Sequence, residues 1–548
     1  MYNLRQFALS FILFAALFSG SKAFGQATAK ADTEPPKNWH ELDLKKDGYY
    51  GISLKQAYQF LDGKKSRTVI VAIIDGGIDT SQKDLKSVLW VNTKEIPGNG
   101  IDDDHNGYTD DINGWNFLGG KDGKADFTET AEEVREYFKL KDKYSNLTAA
   151  LPGQEKQYAY WLNVKTTYDS TISKSKREIK GISSELNILT ATNYYIKRAL
   201  NLKSDQSFTI ADLPRIKTTN DTINQSKTVW ESVFHQIGET TTNAKIIKEI
   251  SDYYATLNNI LNPDLDVRAR TTGDNPDTLD GKPYGSNILK MSDASHGTGV
   301  AGLIGAVRNN GFGIDGVADN VRIMALKVIP KGDEYDKDVV NAIHYAVDNG
   351  AKIININFGK KISPHKDWVD AAFKYAAEKD VLLIMASGND NLDVDKVTVY
   401  PNDTFLDGSS IDADNFINVG ASGPKLDENL AADFTNYGKK NVDVFAPGVK
   451  VTSIDADAEL NTEDGTSFSA PIVAGIAALC LEYYPDLSAK QIKEAILGSA
   501  LPLNGTMVIK PGTKDEKVDF ATLSKTGGIV NAYRALQIAS EMKGERKQ

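Results

Sequence analysis

The sequence predicts an α/β fold, in which a parallel sheet with helices on both faces is interrupted by an α-helical insertion. Two observations lead to this prediction. Short runs of Val, Ile and Leu, apolar at consecutive positions, alternate with segments whose apolar residues recur at helical spacing, as in a parallel sheet that is covered on both faces. In contrast, residues 125–285 carry only the helical spacing. We therefore expect one α/β domain and, within it, a separate helical segment.

Residues 1–23 have the pattern of a secretory signal peptide. Arg5 precedes an apolar stretch at residues 7–18, which is too short to cross a bilayer because about 20 residues are needed for that. Small residues follow, up to a cleavage position after Ala23. The alternative is an N-terminal membrane anchor. No later apolar run is long enough to span a membrane, so we expect a secreted or periplasmic protein that is not membrane-spanning.

The rest of the α/β pattern falls into an arm and two core segments. Residues 24–49 are polar and predict an N-terminal arm, and residues 50–124 form the first core segment, with an apolar run at residues 69–74 that suits a central strand. The second core segment covers residues 286–540. Its predicted strands lie at residues 321–329, 352–358, 381–386 and 416–420, and its predicted helices at residues 339–349, 368–379 and 467–484.

The helical insertion, residues 125–285, contains four segments with many Lys and Glu residues and apolar residues at helical spacing. Turn formers such as Pro152-Gly153 and Asn220-Asp221 separate them. The predicted helices lie at residues 130–144, 154–168, 173–202 and 228–261. Because the α/β pattern stops before this block and resumes after it, we expect the insertion to emerge from a loop of the core.

The composition excludes several classes of protein. The 548 residues include 63 Lys and Arg against 74 Asp and Glu, which is a net charge of −11. That is the wrong sign for a protein that holds nucleic acid through its phosphates, so we expect no nucleic-acid partner. Cys480 is the only cysteine, so the chain can form neither an intrachain disulfide nor a cysteine-based zinc site. We expect Cys480 to pack in the core.

Two segments place an acid and an imidazole where catalysis would need them. Asp75 directly follows the run at residues 69–74, and ligands and catalytic groups gather at the carboxyl ends of parallel strands. The alternative is an ordinary turn formed by Asp75 and Gly76. His296 stands at the start of a Gly-rich helical segment, where the helix dipole is expected to keep the imidazole neutral. The alternative is a histidine that only caps the helix.

A third segment supplies a hydroxyl group. Ser467 lies at the start of a long apolar helical segment, where the first backbone N–H groups have no partner within the helix. The alternative is that Ser467 or Ser469 serves only as the N-cap. Taken together, an acid, an imidazole and a hydroxyl are what nucleophilic acyl transfer needs, and the chain order Asp, His, Ser is one of those known for such triads.

The segments around these residues resemble those of a known family. They are His-Gly-Thr-Gly-Val-Ala-Gly at residues 296–302 and Gly-Thr-Ser-Phe-Ser-Ala-Pro at residues 465–471, and they are similar to segments of the subtilases, the subtilisin-like serine endopeptidases. The resemblance spans residues 65–118 and 288–538. It implies that the predicted sheet is a subtilisin-like one, with the helical block grafted into it.

The resemblance also implies a role for each residue of the site. Asp75 would orient the imidazole, His296 would act as general base and then general acid, and Ser467 would attack the peptide carbonyl. Asn389, which follows the predicted strand at residues 381–386, would donate its side-chain amide to the oxyanion, together with the Ser467 backbone N–H. The alternative for Asn389 is a Gly-Asn turn.

Substrate would be bound as an extended strand. The resemblance implies that Asn357, Phe358 and Gly359 pair with the substrate backbone and that Ser387 and Gly388 line the same site. Backbone pairing reads no side chains, so we expect protein or peptide substrates with broad specificity.

Three features depart from the family pattern. Gly76 follows Asp75 where the family usually has Ser or Thr, so one hydrogen bond near Asp75 is expected to be missing, and Asn357 replaces a common Ser. The stretch between Ala23 and the first core strand is also too short for the family's usual inhibitory propeptide. The protein would then fold unassisted, or the insertion would help it to fold.

An acidic loop predicts a calcium site. Residues 101–113 fit the pattern D-x-D-x-N-G, in which oxygen ligands at alternate positions surround the ion. Position twelve of this pattern is Asn113 rather than Glu, so a carboxylate from Asp110 or Asp111 would replace it. The alternative is an acidic turn without a metal. The predicted ligands are Asp102, Asp104, Asn106, Tyr108, Asp110 and Asp111. Many subtilases use calcium for stability, and we expect no catalytic cofactor.

The sequence thus predicts a secreted serine endopeptidase that hydrolyses peptide bonds through a Ser-His-Asp triad and an acyl-enzyme intermediate. Two alternatives remain open. The first is a non-catalytic binding module on the same fold, with the insertion as its partner surface. The second is an esterase or peptide transferase that uses the same triad. The sequence does not predict the oligomeric state.

Overall fold

The computed structural model describes residues 34–120, 123, 128–237, 241–291, 294–456 and 460–546. The predicted signal peptide, residues 1–23, lies outside the described residues, as does the start of the predicted arm. The chain divides into two compact units: residues 128–265 form one, and residues 33–127 together with 266–548 form the other.

The larger unit is built on a seven-stranded sheet in which each neighbouring pair of strands is parallel. The strand order is β2-β3-β1-β4-β5-β6-β7. The strands are β1 (Val69–Asp75), β2 (Gly114–Asn116), β3 (Val321–Lys327), β4 (Ile353–Ile356), β5 (Leu382–Ala386), β6 (Phe416–Ser422) and β7 (Val444–Pro447). The predicted α/β fold with a parallel sheet is confirmed. Each of the five predicted apolar runs overlaps a strand of this sheet.

Two small antiparallel pairs accompany the sheet. Strands β8 (Val451–Ile454) and β9 (Leu460–Glu463) form one pair, and β10 (Met507–Ile509) and β11 (Lys517–Asp519) form the other. The β8–β9 pair precedes the helix that carries Ser467. It therefore determines how the chain enters that helix.

Helices of the larger unit cover both faces of the sheet. They are α1 (Leu44–Asp47), α2 (Leu54–Leu61), α7 (Val267–Thr271), α8 (Ala294–Gly305), α9 (Asp336–Asp348), α10 (Lys366–Glu378), α11 (Thr466–Tyr483), α12 (Ala489–Ser499) and α13 (Ala532–Glu541). Helices α8, α11, α12 and α13 contribute to one hydrophobic core, while α9 and α10 contribute to a second core. Consecutive residues of a strand point to opposite faces, which explains why β1 is apolar along its whole length: Ile73 lies in the first core and Ile74 in the second.

Helix α11 is apolar enough to cross a membrane by length and composition, since its 18 residues have a mean hydropathy of 1.3. However, 89% of these residues are buried inside the protein. Cys480 lies on this helix and is fully buried, as expected. Helix α11 is therefore the central core helix of the larger unit.

The smaller unit, residues 128–265, is helical. Its helices are α3 (Glu132–Tyr144), α4 (Glu155–Ala199), α5 (Asp221–Ile237) and α6 (Asn243–Leu261). Helices α4, α5 and α6 share a core of apolar side chains that includes Leu189, Trp230, Phe234 and Ile250, and α3 packs against α4 through the stacked rings of Tyr137 and Trp161. Each helix thus buries one stripe against the others, as the helical spacing predicts.

The helix boundaries in this unit differ from the prediction in two places. Helix α4 runs unbroken for 45 residues, although the sequence predicts a break between residues 168 and 173. The polar residues there do not end a helix because they are neither Gly nor Pro, and Asp169 pairs with Lys165 one turn earlier at 2.7 Å. Conversely, the helix predicted at residues 228–261 is two helices, α5 and α6.

Residues 266–285, the last part of the predicted insertion, group with the larger unit. Arg268 of α7 is 2% exposed and donates two hydrogen bonds of 2.7 Å to Asp338 of α9. The Tyr284 hydroxyl donates a third, at 2.6 Å. The segment is therefore held to α9 by a buried charged network.

Candidate active site

Asp75, His296 and Ser467 are far apart in the sequence. In the structure, each lies at one end of a strand or helix of the larger unit. Asp75 is the last residue of β1, His296 lies in the first turn of α8, and Ser467 lies in the first turn of α11. Gly297 allows α8 to approach the chain that follows β1, because a Cβ atom at Gly297 would lie 2.2 Å from the backbone oxygen of Gly77. The glycine after His296 is thus required by packing.

Asp75 and His296 form a hydrogen-bonded pair. Nδ1 of His296 lies 2.8 Å from Oδ1 of Asp75 and 3.1 Å from Oδ2. The Asp75 side chain is 2% exposed, whereas that of His296 is 36% exposed. Since a carboxylate accepts hydrogen bonds, Nδ1 carries the hydrogen and Nε2 is left as the basic atom of a neutral ring.

Two further donors hold Asp75. The Gly76 backbone N–H donates to Oδ1 at 2.6 Å, and the Asn357 side-chain amide donates to Oδ2 at 3.0 Å. Burial raises the pKa of Asp75, but the charge of His296 and these hydrogen bonds outweigh burial and hold the pKa below its usual value. Asp75 is therefore ionised at neutral pH.

The pKa of His296 departs from the sequence-based expectation. The helix dipole was expected to keep the imidazole neutral by lowering its proton affinity. Burial does lower the pKa of His296, but the charge and hydrogen bond of Asp75 outweigh burial, and Glu463 acts in the same direction. The pKa therefore lies above 6.5, because the adjacent full charge of Asp75 is stronger than the partial charge of a helix end.

Ser467 lies in the first turn of α11 and is 9% exposed. Its neighbour Phe468 packs edge-on against the His296 ring, with 6.0 Å between ring centroids. Within the described residues, the Ser467 hydroxyl makes no hydrogen bond to His296. Catalytic hydrogen bonds are often long or absent without substrate and tighten in the complex.

Asn389 follows β5 and is held with its amide group in a defined orientation. Its Oδ1 accepts hydrogen bonds from the Thr466 backbone N–H at 2.9 Å and from the Thr466 hydroxyl at 2.8 Å. The Thr466 hydroxyl in turn accepts a hydrogen bond from the Gly388 backbone N–H at 3.2 Å. Because Oδ1 is engaged with the residue before Ser467, the amide hydrogens of Asn389 are left to donate elsewhere. The sequence singled out no role for Thr466.

The predicted substrate residues occupy different environments. Gly359 is exposed after the end of β4, as a residue that pairs with substrate must be. Phe358 is 9% exposed and packs in the core. Ser387 is 2% exposed, and its hydroxyl donates to the backbone oxygen of Asn436 at 3.2 Å. The Asn357 side chain is turned to Asp75. Ser387 and Asn357 thus use their side chains within the protein.

The acidic loop brings together a different set of carboxylates from the predicted one. Asp102, Asp104 and Glu95 each offer an oxygen, and these oxygens lie within 4.8 Å of one another. Glu95 was not predicted, because it lies outside the D-x-D-x-N-G pattern. Its Oε1 accepts the backbone N–H groups of Asp103 and Asp104 at 2.7 and 3.1 Å, which folds the loop onto it. Three carboxylates in this arrangement suit a hard cation such as Ca²⁺.

Asp110 and Asp111 are not among these three carboxylates. Asp110 accepts the backbone N–H groups of Gly98 and Gly100. Asp111 is fully buried and accepts from the side chains of Asn92 and Asn106 at 2.7 and 3.0 Å. The Tyr108 ring packs edge-on against Trp115. These residues shape the loop and its base.

Comparison with known proteins agrees with this architecture. The profile of the Subtilase family matches residues 66–529, which includes Asp75, His296, Asn389 and Ser467. The chain belongs to the subtilase family.

Individual subtilases are similar to part of this chain. It is 33% identical over 213 residues to the thermophilic serine proteinase of Bacillus sp. (strain AK1), covering 39% of this chain and 48% of that protein. It is 32% identical over 217 residues to the cell wall-associated protease of Bacillus subtilis (strain 168), covering 39% of this chain and 22% of that protein. The chain thus spans about half the length of the first of these subtilases and about a fifth of the second.

Among solved structures, the prenylagaramide maturation protease PagA is similar at 27% identity, with a TM-score of 0.37. The match covers 45% of this chain and 82% of that protein.

Proposed function

We propose that this subtilase is a serine endopeptidase that cleaves peptide bonds through an acyl-enzyme intermediate. The observation that carries the proposal is the 2.8 Å contact between a buried Asp75 carboxylate and Nδ1 of a partly exposed His296. It leaves Nε2 of His296 as a base, and Ser467 lies at the start of α11 directly before Phe468, whose ring packs against the His296 ring.

In the first half-reaction, the Ser467 hydroxyl attacks the peptide carbonyl and Nε2 of His296 takes its proton. Asp75 stays ionised and stabilises the imidazolium that forms. The negative oxygen of the tetrahedral intermediate lies between two donors, the Asn389 side-chain amide and the Ser467 backbone N–H. The intermediate collapses as His296 gives its proton to the leaving amine, and Ser467 is left acylated.

In the second half-reaction, water replaces the amine. His296 takes a proton from the water, which attacks the acyl carbon, and the same two donors stabilise the second oxyanion. His296 then returns the proton to Ser467 as the new carboxyl product leaves. Loss of one oxyanion donor costs about 10²–10³-fold in kcat in enzymes of this chemistry.

Substrate would lie extended beside the end of β4. Gly359 is exposed there, and it has no side chain to obstruct an approaching strand. Phe358 on one side is buried in the core, which keeps the segment rigid. Recognition through backbone groups supports protein or peptide substrates of varied sequence.

We further propose that Glu95, Asp102 and Asp104 hold a calcium ion that stabilises the loop at residues 95–111. The chemistry of the donors supports this, since Ca²⁺ prefers carboxylate oxygens. The ion would have no part in the reaction.

We also propose that the protein acts outside the cytoplasm. The signal-like pattern at residues 1–23 supports this, and one of the similar subtilases is a cell wall-associated protease.

Purified protein tests the main proposal. We expect it to degrade casein and a fluorophosphonate probe to label Ser467, with both activities absent in Ser467→Ala. Labelling without casein cleavage, but with hydrolysis of small esters, would favour an esterase. Neither labelling nor cleavage by folded protein would favour the non-catalytic binding module.

A further inference from the structure

The segment that carries Asn389, residues 387–392, is hydrogen-bonded to the buried side chain of Asn436. Asn436 is fully buried, and its Nδ2 donates to the backbone oxygen of Ser387 at 2.7 Å. Its Oδ1 accepts the backbone N–H groups of Asp390 and Leu392 at 3.1 and 2.9 Å. One side-chain amide thus bonds the chain on both sides of Asn389.

The backbone of Asn436 makes two further hydrogen bonds to the same segment. Its N–H donates to the backbone oxygen of Gly388 at 2.9 Å, and its own backbone oxygen accepts the Ser387 hydroxyl at 3.2 Å. Gly388 has a φ of 102° and lies so close to the amide that a Cβ atom there would be 2.5 Å from Nδ2 of Asn436. The glycine before Asn389 is therefore fitted to the Asn436 side chain.

We propose that Asn436 is a positioning residue for the oxyanion donor Asn389, a role that rests on the proposed endopeptidase function. Asn436 holds the backbone on either side of Asn389, while Thr466 holds its side-chain oxygen. With both ends fixed, the amide hydrogens of Asn389 have one direction in which to donate.

The physical reason is that oxyanion stabilisation depends on placing the donor before the charge develops. Without Asn436, the backbone groups of Ser387, Asp390 and Leu392 lose their partners, and the segment relaxes to satisfy them. A displacement of about 1 Å at a reacting centre can cost about 100-fold in rate. Asn436 makes no hydrogen bond to Ser467 or His296, so its effect on the reaction is expected to pass through Asn389.

The experiment is a double-mutant cycle between Asn436→Ala and Asn389→Ala, with active sites counted by fluorophosphonate titration. We expect Asn436→Ala to lower kcat per titrated site by about 10-fold or more, with KM changed by less than about twofold. In the Asn389→Ala background, we expect the same change to lower kcat by less than about twofold, because the donor that it positions is already gone. An equal loss of kcat in both backgrounds would overturn the proposal.

Asn415 provides the matched control. It is 4% exposed, and its Nδ2 donates to the backbone oxygen of Val381 at 3.0 Å, at the opposite end of the same strand β5. Asn415→Ala removes a comparable buried bond and should lower thermal stability while leaving kcat per titrated site unchanged. Should Asn415→Ala lower kcat as much as Asn436→Ala does, the effect is a general one of stability and the proposal fails.

A second variant keeps the test decisive if Asn436→Ala does not fold. Asn436→Asp keeps the shape of the side chain and the acceptor Oδ1, but it replaces the Nδ2 donor to Ser387 by an oxygen. We expect this variant to lower kcat as Asn436→Ala does, and to lower it much less when Asn389 is also replaced by Ala. Unchanged kcat in folded Asn436→Asp would contradict the proposal. A parent protein that neither labels nor cleaves would instead contradict the endopeptidase function itself, before any variant is compared.

Discussion

Asn357 donates its side-chain amide to Oδ2 of Asp75 at 3.0 Å, while Nδ1 of His296 lies 2.8 Å from the other oxygen of that carboxylate. Asn357 is 7% exposed, so this hydrogen bond is shielded from solvent. It compensates for the residue that follows Asp75, since Gly76 has no hydroxyl to donate and offers only its backbone N–H. The hydrogen bond expected to be missing near Asp75 is thus replaced by one from Asn357, the residue that follows β4.

We predict that Asn357→Ala lowers kcat/KM by about 10- to 100-fold. A hydrogen bond to a charged group contributes about 1.5–3 kcal/mol, and here it fixes the oxygen that orients the imidazole. Steady-state hydrolysis of a chromogenic peptide measures the effect. Asn355→Ala is the matched control, because Asn355 is fully buried two residues earlier and neither of its side-chain polar atoms has a hydrogen-bond partner among the described residues. Equal losses in the two variants would contradict a specific role for the Asn357 bond.

The pH dependence follows from the raised pKa of His296. The reaction needs a neutral imidazole, so kcat/KM should fall as the pH drops through that pKa, and the midpoint should lie above 6.5, the ordinary value of histidine. Asp75→Asn removes the charge that raises the pKa, so the midpoint should move to lower pH. In the same variant kcat should fall about 10⁴-fold, since the ring loses the partner that selects its tautomer.

The rate of fluorophosphonate labelling at different pH values measures this midpoint even in a slow variant. A midpoint in Asp75→Asn at or above that of the parent would show that Asp75 does not control the titration of His296.

The sheet could be predicted from the sequence because its long strands are buried on both faces and read as uninterrupted apolar runs, such as the one that becomes β1. Strands β2 and β7 to β11 were not predicted, since each has only three or four residues and, unlike β4, does not lie in a longer apolar run. The break between α5 and α6 was missed although Gly238 and the polar residues up to Thr242 interrupt the apolar spacing there. The prediction divided helix α4 into two helices because the polar residues of one exposed turn resemble a loop.

The site could be predicted where the chemistry lies in local motifs, as with His296 and Ser467. The prediction of the site was incomplete where function depends on contacts between segments that are distant in the sequence. Asn357 is 282 residues from Asp75, and nothing local to it indicates that its amide faces a carboxylate. Glu95 lies before the calcium-like pattern and joins Asp102 and Asp104 only through the folding of the loop. The pKa of His296 also depends on Asp75, which is 221 residues away.

Calcium binding should appear as thermal stabilisation. We predict that a chelator lowers the melting temperature and that added Ca²⁺ restores it, since a ligand at 100 times its Kd adds about 2.7 kcal/mol of stability. Asp104→Asn should abolish the response because it removes one of the three clustered carboxylates. Asp103→Asn, a neighbour outside that cluster, should retain it. A melting curve that chelator does not change would refute the site.

Two deletion variants distinguish the contribution of the helical unit, residues 128–265, from that of residues 266–285, which follow it. We predict that a variant lacking residues 128–265, closed by a short Gly/Ser linker, folds and cleaves casein, because that unit has its own core. A variant lacking residues 125–285 should fail to fold, because it also removes Arg268 and Tyr284 and leaves the Asp338 carboxylate buried without its partners. Removing one partner of a buried ion pair costs about 3–5 kcal/mol.

Arg268→Ala in the full chain should reproduce much of this loss of stability, measured by thermal melting. The two deletions also test whether the helical unit assists folding. If the variant lacking residues 128–265 recovers full activity after denaturation at the rate of the parent, folding does not need the helical unit. If it is stable once folded but refolds far more slowly, the helical unit assists folding, and the expectation that the larger unit folds unaided is wrong.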